Sequence, residues 1–488
     1  MKRLNFVDNG LLKFNYDFPV FNWFYPYYAE DLTNKQIMSE ITDNTMNIFK
    51  YILDDPSDVA LYFHIPFCQD ICSFCPFNRE ILKEQNRLDA YIQSLIKEID
   101  IKKEYINAKH TKINSIFFGG GTPSIMTVNQ IRTIGKKIKE SFDLSLLKEF
   151  SFEMNAKSIS EEKAIALKNI GVTHVRVGVQ TFSEKYRKLF CLTATLKQIY
   201  DGIAILKRHF DNVSVDILYG FNGETMHDFL IDLKKTLDLN VPNISLYPLN
   251  NKSIQDRLIN KYEELGLLPC SGLDRLGFKI LAKEFMARNG YYPHNGHDFV
   301  KVKEQPKRFI TDEYKFEYHK SVYGSEKSEL IGFGVSAISF FNGFITMNDK
   351  SIDQYINDFN IKGYCNMFIR SYDKILDVNK PISLYLPYHG SIKKDDINLD
   401  RISKELVEQL KVLIEKKLVI ETENEFLLTE VGWLSYVNIL FYLSPILDKK
   451  YLIGQIEKTE QKRNIGLWNF ELYGRSISFV KKILERRR

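Results

Sequence analysis

From Ala60 onward the chain alternates between short apolar, β-branched and aromatic runs and longer stretches whose apolar positions recur every three or four residues. The short runs, at 60–65, 113–118, 150–155, 173–179, 212–218 and 243–248, predict strands. The periodic stretches, near 85–107, 126–142, 159–170, 194–209, 225–239 and 271–289, predict helices. Strand–helix repetition with apolar strands indicates a parallel sheet covered by helices. Six units are fewer than the eight of a closed barrel. The expected fold is therefore α/β: a partial (β/α)6 parallel barrel, TIM-like but open, spanning residues 60–300. In such sheets the active site lies at the carboxyl ends of the strands.

The flanks read differently. Residues 1–59 are aromatic-rich, and the prolines of Phe18 to Pro26 prevent a continuous helix. We expect an arm that packs on the main domain. Residues 301–375 are expected to extend the barrel, with the highly charged Lys301 to Lys327 as a loop or insertion. Residues 376–488 are expected to form a helical C-terminal domain. In it, Ile402 to Lys417 has helical spacing, and Leu418 to Glu421 and Glu425 to Thr429 resemble two short strands around a polar turn. That shape is winged-helix-like. Lacking a dense basic stripe, it reads as a cap beside the active site rather than a DNA reader. Tyr436 to Leu443 fits a buried helix.

Composition narrows the function. Apolar residues make up 44% and charged residues 26%, the balance of a globular protein. A net charge of +5 is too mild to argue for nucleic acid or a membrane surface, and Glu485 to Arg488 is a short basic tail. No apolar run approaches the roughly 18 residues of a membrane span. The N-terminus lacks the charged-then-apolar pattern of a signal peptide, so a reducing cytoplasm is expected. A monomer is expected as well. Six cysteines in 488 residues are not a disulfide scaffold, and three of them crowd into eight positions.

Those three are Cys68, Cys72 and Cys75, spaced Cys-x3-Cys-x2-Cys just after the first predicted strand. Three thiolates can hold three irons of a four-iron cluster and leave the fourth open to a substrate or cosubstrate. Two other readings stand beside this one: a zinc site short of its fourth ligand, or three buried thiols. Structural zinc sites usually bring a second, distant ligand pair, and none is present here.

Further polar signals fall at later strand ends. Gly119-Gly120-Gly121-Thr122-Pro123 follows the second strand. Its glycines allow a ligand close to the backbone, although a tight turn explains them too. The spacing is neither a dinucleotide fingerprint nor a Walker loop. Glu153, Gln180 and Asp216 end or interrupt apolar strands. A charge there is costly unless paired or bound to something. Each alone reads equally as a satisfied structural residue; together at one barrel mouth they favour a ligand.

With Tyr62 to Cys68, Gly119 to Pro123, Gly178 to Phe182 and Gly332 to Ser339 on the page, the chain resembles the radical S-adenosylmethionine superfamily. Within it, the chain is similar to the oxygen-independent coproporphyrinogen III oxidase-like branch, over nearly its whole length. The resemblance implies a [4Fe-4S] cluster on Cys68, Cys72 and Cys75. S-adenosylmethionine would chelate the open iron, and one electron would yield a 5′-deoxyadenosyl radical. Contacts to S-adenosylmethionine carry over to Tyr62, Phe74, Gly120, Gly121, Thr122, Glu153, Gln180, Asp216 and Ile338. The branch also implies one or two S-adenosylmethionine molecules, a flavodoxin- or ferredoxin-type electron donor and a small-molecule or tetrapyrrole-like substrate.

The chain departs from the oxidases at two places. Phe77 stands where they keep a further cysteine, and Leu192, after Cys191, where they keep a cofactor-binding arginine. An apolar leucine cannot replace a guanidinium. Intact cofactor motifs beside altered oxidase residues favour a paralogue that methylates carbon or performs a related radical modification. Coproporphyrinogen oxidation, haem degradation by a methyltransferase of the branch, and a haem chaperone are the alternatives. His294-Asn295 matches only the first two positions of the chaperone's haem motif. His297 is its candidate iron ligand, against the preferred reading that these are surface-loop histidines.

Overall fold

The computed structural model describes residues 45–449, except 57, 109–110, 250–253, 271, 314–315 and 447. The aromatic stretch from Phe18 to Pro26 and the basic tail lie outside these residues.

Six strands, β1 (Asp58–Ile65), β2 (Ser115–Gly120), β3 (Glu149–Met154), β4 (His174–Gln180), β5 (Asn212–Tyr219) and β6 (Asn243–Pro248), pair parallel in chain order. Helices α1 (Gln85–Ala108), α2 (Val128–Ser141), α3 (Glu161–Ile170), α4 (Leu196–His209), α5 (Met226–Asp238) and α6 (Gly272–Arg288) follow the strands in turn. The expected partial barrel is present, with each element within a few residues of its sequence position. The helix starts are set locally. Thr127, Thr195 and Thr225 each cap a helix through the backbone N–H three residues on, and Gln130, Gln198 and Asp228 reach back to complete reciprocal capping boxes. The apolar stripes then turn inward: Ile131, Ile134 and Ile138 on α2, Ile199, Ile203 and Leu206 on α4.

The sheet is larger than six strands. Residues 301–375 supply β9 (Ser328–Phe333), which pairs parallel with the free edge of β1, Asp58 opposite Ser328. Beyond it lie antiparallel β10 (Ile338–Phe341), β11 (Phe344–Asn348) and β12 (Met367–Ser371). At the other edge, β8 (Asp298–Lys301) pairs antiparallel with β6, and β7 (Tyr291–Pro293) with β8. The result is a 12-stranded open sheet whose seven central strands are parallel. The Phe63 ring lies between Phe118 and Phe333, with centroids 4.6 and 4.7 Å away, which locks β9, β1 and β2 together. Within the charged segment a short helix, Glu317–Tyr323, faces the barrel rather than solvent.

The described end of the N-terminal segment, Thr45–Tyr51, buries Met46, Ile48 and Phe49, and Phe49 stacks on Phe341 at 5.3 Å. At the C-terminus a helix (Lys404–Glu415) precedes the hairpin Val419–Glu421 and Glu425–Leu428. Ser391–Lys393 adds a third strand to that hairpin. The helix Tyr436–Leu443 is largely buried, and Tyr388 and Leu440 close the barrel mouth from this side.

Candidate functional site

The carboxyl ends of the parallel strands open into a cavity of about 590 Å³. Seven residues expected to meet a cofactor line it: Tyr62, Phe74, Gly120, Glu153, Gln180, Asp216 and Ile338. Gly121 and Thr122 sit behind the wall and act on the cysteine loop instead. The Thr122 hydroxyl donates to Cys68 Sγ at 3.3 Å. A Cβ on Gly121 would stand 2.9 Å from the carbonyl oxygens of Ile65 and Phe67. Only glycine lets the strand end come this close to the chain entering Cys68.

The three thiols occupy one loop. Cys68 is buried, Cys72 and Cys75 half-buried, and the Cys75 N–H donates to the Cys72 carbonyl at 3.3 Å. Burial, then mutual repulsion among the thiols, pushes Cys72 up to about 12; Cys68 rises to about 11 by burial, against the Thr122 hydrogen bond. The Arg79 guanidinium opposes the rise at all three. Among the described residues no three His, Cys, Asp or Glu side chains converge as ligands of one metal ion. Three thiols carried by one loop offer one ligand each to three irons, the donor chemistry of a four-iron cluster with one open iron. Holding it requires the thiols to lose their protons, which the hydrogen bond from Thr122 and the charge of Arg79 both favour.

The polar strand ends form a buried network. Arg176 on β4 donates to Ser245 Oγ at 2.8 Å, to Tyr247 at 3.2 Å and to Asp216 at 3.5 Å, and lies 3.6 Å from Asp298. Burial, then the neighbouring Asp216, raises the Glu153 carboxyl to about 8, opposed by Arg176 and the Gly120 N–H. Asp216 is likewise raised by burial. Burial alone would raise Asp298 too, but His297, Arg176 and His294 together bring it below the usual range. Tyr62 shares a 3.1 Å hydrogen bond with His64, whose other nitrogen meets the Asn78 carbonyl at 2.9 Å. Burial lowers His64 to about 4, so its imidazole is neutral near pH 7.

Gln180 adopts φ +71°, at a register shift between β4 and β5. A non-glycine residue there is strained and needs support. Arg187 supplies it, donating to the Val179 carbonyl at 3.1 Å, the Thr181 carbonyl at 2.9 Å and the Ala194 carbonyl. Gly178 makes room, since a Cβ there would lie 2.5 Å from Gln180 Nε2.

Several wall residues were not foreseen. Arg176 interrupts the apolar β4 just as Glu153 and Asp216 interrupt theirs, so the same cost argument finds it. Tyr318, His319 and Tyr323 come from the helix inside the charged segment, where no pattern marks them. His294 and His297 are buried, not on a surface loop, because β8 draws them beneath the C-terminal cap. His297 Nε2 meets the Tyr388 hydroxyl at 3.0 Å and its ring lies 4.1 Å from that of Tyr247. Leu192 stays off the cavity wall and packs on an apolar cluster with Phe74, Tyr186 and Phe190. Phe77 reaches the rim of the cavity, with 45% of its surface exposed.

Residues 62–235 match the family model of the Radical SAM superfamily. The chain is 27% identical over 408 residues to the heme chaperone HemW of Lactococcus lactis, covering 81% of this chain and 98% of that protein. It is 25% identical over 369 residues to the oxygen-independent coproporphyrinogen III oxidase of Synechocystis, covering 72% and 74% respectively. The solved coproporphyrinogen III oxidase HemN of Escherichia coli shares the fold, with a TM-score of 0.68 at 21% identity over 86% of this chain and 97% of that one.

Proposed function

From its place in the radical SAM superfamily, we propose that this chain is an enzyme of the HemN- and HemW-like kind that methylates carbon, or makes a related radical modification, on a substrate other than a polycarboxylate porphyrinogen. Cys68, Cys72 and Cys75 would hold a [4Fe-4S] cluster, which would supply the one electron that reductive cleavage of S-adenosylmethionine needs. The chain's own residues do the rest. Glu153 and Asp216 offer acceptors for the ammonium of the methionyl group, and the Gly120 N–H steadies Glu153. Phe74 packs on a flat base. Gln180, whose flanking carbonyls Arg187 bonds, lines the same space.

The observation that carries the choice of substrate is the charge of the wall. Among the described residues, Arg176 is the single arginine or lysine lining the cavity, and it already serves Asp216, Asp298, Ser245 and Tyr247. His297 and His319 are held neutral by burial, down to about 4 and about 3. Coproporphyrinogen III carries four carboxylates, and each buried without a partner costs several kcal/mol. The experiment is an anaerobic incubation of reconstituted protein with S-adenosylmethionine, a reductant and coproporphyrinogen III. We expect 5′-deoxyadenosine and no carbon dioxide. Carbon dioxide release would overturn the substrate reading. Absence of 5′-deoxyadenosine with every reductant would overturn the enzyme class. A second reading, haem binding without turnover, draws on the neutral imidazoles of His297 and His319 at the wall and on the likeness to HemW. A stable haem complex that forms no 5′-deoxyadenosine would favour it.

A further inference from the structure

The cavity wall carries a second polar group that the cofactor contacts leave unused. It comes from the short helix Glu317–Tyr323: the Tyr318 hydroxyl, the His319 imidazole and the Tyr323 hydroxyl. His319 Nδ1 is taken, in a 3.0 Å hydrogen bond with Nε2 of His389 from the cap. Among the described residues no protein group bonds His319 Nε2 or either hydroxyl, and none of the three atoms is shut away in the core. Polar atoms left unpaired on the wall of a cavity are suited to a ligand. Two anchors hold the helix in place without one. Glu149 Oε2 accepts the Glu317 N–H at 2.9 Å, and the bond between His319 and His389 ties the helix to the cap. The subsite is therefore formed in advance, which lowers the entropy lost on binding.

We infer that this stretch of wall is the substrate's subsite, and that the substrate is a small, uncharged aromatic molecule whose hydroxyl or carbonyl oxygen is held by Tyr318, His319 and Tyr323. That the occupant is a substrate rests on the enzyme reading above; that it binds here does not. Three observations support it. First, the subsite is neutral. Burial keeps both phenols protonated, raising them well above their ordinary range, and lowers His319 to about 3, with His297 adding to the fall and Asp298 opposing it. The strongest ionisable neighbours of Tyr318 are Tyr62, Tyr323, Glu153 and Glu149, none of them a cation. Arg176, 5.3 Å over the Phe316 ring, already directs its donors to Ser245, Tyr247 and Asp216. An anion here would lie uncompensated. Second, the surroundings are rings. Tyr388 stacks on His319 at 4.1 Å and Phe117 lies 4.9 Å from Tyr318. Such faces favour an aromatic body. Third, the space is limited. The cavity of about 590 Å³ must serve cofactor and substrate together, a volume usual for one drug-sized ligand, which keeps the substrate small.

The test is anaerobic equilibrium dialysis of the full chain against three probes that share one ring system: 2-naphthol, 2-naphthoate and naphthalene. It is run on reconstituted holoprotein with S-adenosylmethionine and again on cluster-free protein. At neutral pH 2-naphthol is uncharged and 2-naphthoate is an anion. We expect 2-naphthol to bind at least about tenfold more tightly than 2-naphthoate, because a carboxylate here would be buried unpaired. Tyr318→Phe and Tyr323→Phe each keep the ring and remove one hydroxyl that no described protein group uses. We expect either to weaken 2-naphthol about fivefold and to change naphthalene by less than about twofold. His319→Phe should act alike; because it also cuts the bond to His389, the two tyrosine variants decide. Equal or tighter binding of 2-naphthoate overturns the proposal, as does a failure of 2-naphthol to bind. Tyrosine variants that bind 2-naphthol as the wild type does, or that lose naphthalene equally, overturn it too. Release of carbon dioxide from coproporphyrinogen III, or the absence of 5′-deoxyadenosine, would instead overturn the function proposed above while 2-naphthol still bound; loss of 2-naphthol binding alone overturns the subsite.

Discussion

Glu98 on α1 is fully buried and accepts four hydrogen bonds. Its Oε2 takes the Gly334 N–H at 2.7 Å and the Tyr355 hydroxyl at 2.6 Å; its Oε1 takes the Asn348 amide at 2.8 Å and the Lys102 ammonium at 2.6 Å. Lys102, also fully buried, donates onward to the Gly332 carbonyl at 2.5 Å and lies over the rings of Phe49 and Phe333. The pair thus pins α1 to the turn that leaves β9, the turn whose Ser336 and Ile338 line the cavity. Glu98→Gln removes one charge and turns an amide NH2 toward groups that are themselves donors. It leaves the Lys102 ammonium buried and unpaired. Breaking a buried pair from one side costs about 3–5 kcal/mol, a large share of a total stability of about 5–15 kcal/mol. At a urea slope of about 3 kcal/mol/M the unfolding midpoint falls by about 1 M or more. The double variant Glu98→Leu with Lys102→Met removes both charges but leaves Gly334, Asn348 and Tyr355 donors unserved. It should cost clearly less than the sum of Glu98→Leu and Lys102→Met alone. The assay is urea unfolding by circular dichroism for the wild type, the three single variants and the double. A loss below about 1 kcal/mol for Glu98→Gln, or strict additivity in the cycle, would refute the reasoning.

Other consequences are directly measurable. Alanine at Cys68, Cys72 or Cys75 should abolish the roughly 400 nm absorbance of a thiolate-bound iron–sulfur centre, whereas Cys191→Ala, Cys270→Ala and Cys365→Ala should keep it in the same spectrum. Gly120 has φ +110° and a Cβ there would meet the His64 ring at 2.7 Å, so Gly120→Ala should cost about 1–3 kcal/mol and weaken S-adenosylmethionine binding in equilibrium dialysis. Glu153 is raised from 4.5 to about 8, so the folded protein keeps a proton that the unfolded chain releases. Its contribution is fully favourable below about pH 4.5 and is lost as pH climbs to about 8. Glu153→Gln should therefore flatten the decline of ligand-free stability over that window, read as unfolding midpoints across pH.

The sequence carried the central fold because each βα unit announces itself locally. An apolar strand, a threonine cap with its partner three residues on, and an amphipathic helix recur at 127–138, 195–206 and 225–236. The polar part of the cavity wall was legible for a related reason: a polar residue inside an apolar strand stands out, as with Glu153 and Asp216. Arg176 was passed over although it sits in the same pattern. The far wall was not legible at all. Tyr318, His319 and Tyr323 lie in a charged stretch, and their burial is created by Tyr388 and His389 from the cap, some seventy residues later. β9 was hidden for the same physical reason. Its six residues are buried by pairing with β1, a contact of long sequence separation that local periodicity cannot register.

That pairing has a consequence in time. Asp58 waits for Ser328. At about 5–20 residues per second, the ribosome takes tens of seconds to supply the strand that covers the outer edge of β1. Through that interval β1, and the cysteine loop that follows it, belong to a sheet with one side unfinished and no C-terminal cap over its mouth. The order of synthesis thus leaves the three thiols approachable before the cavity exists, and closes the cavity only after the stretch that would receive the iron has long been made.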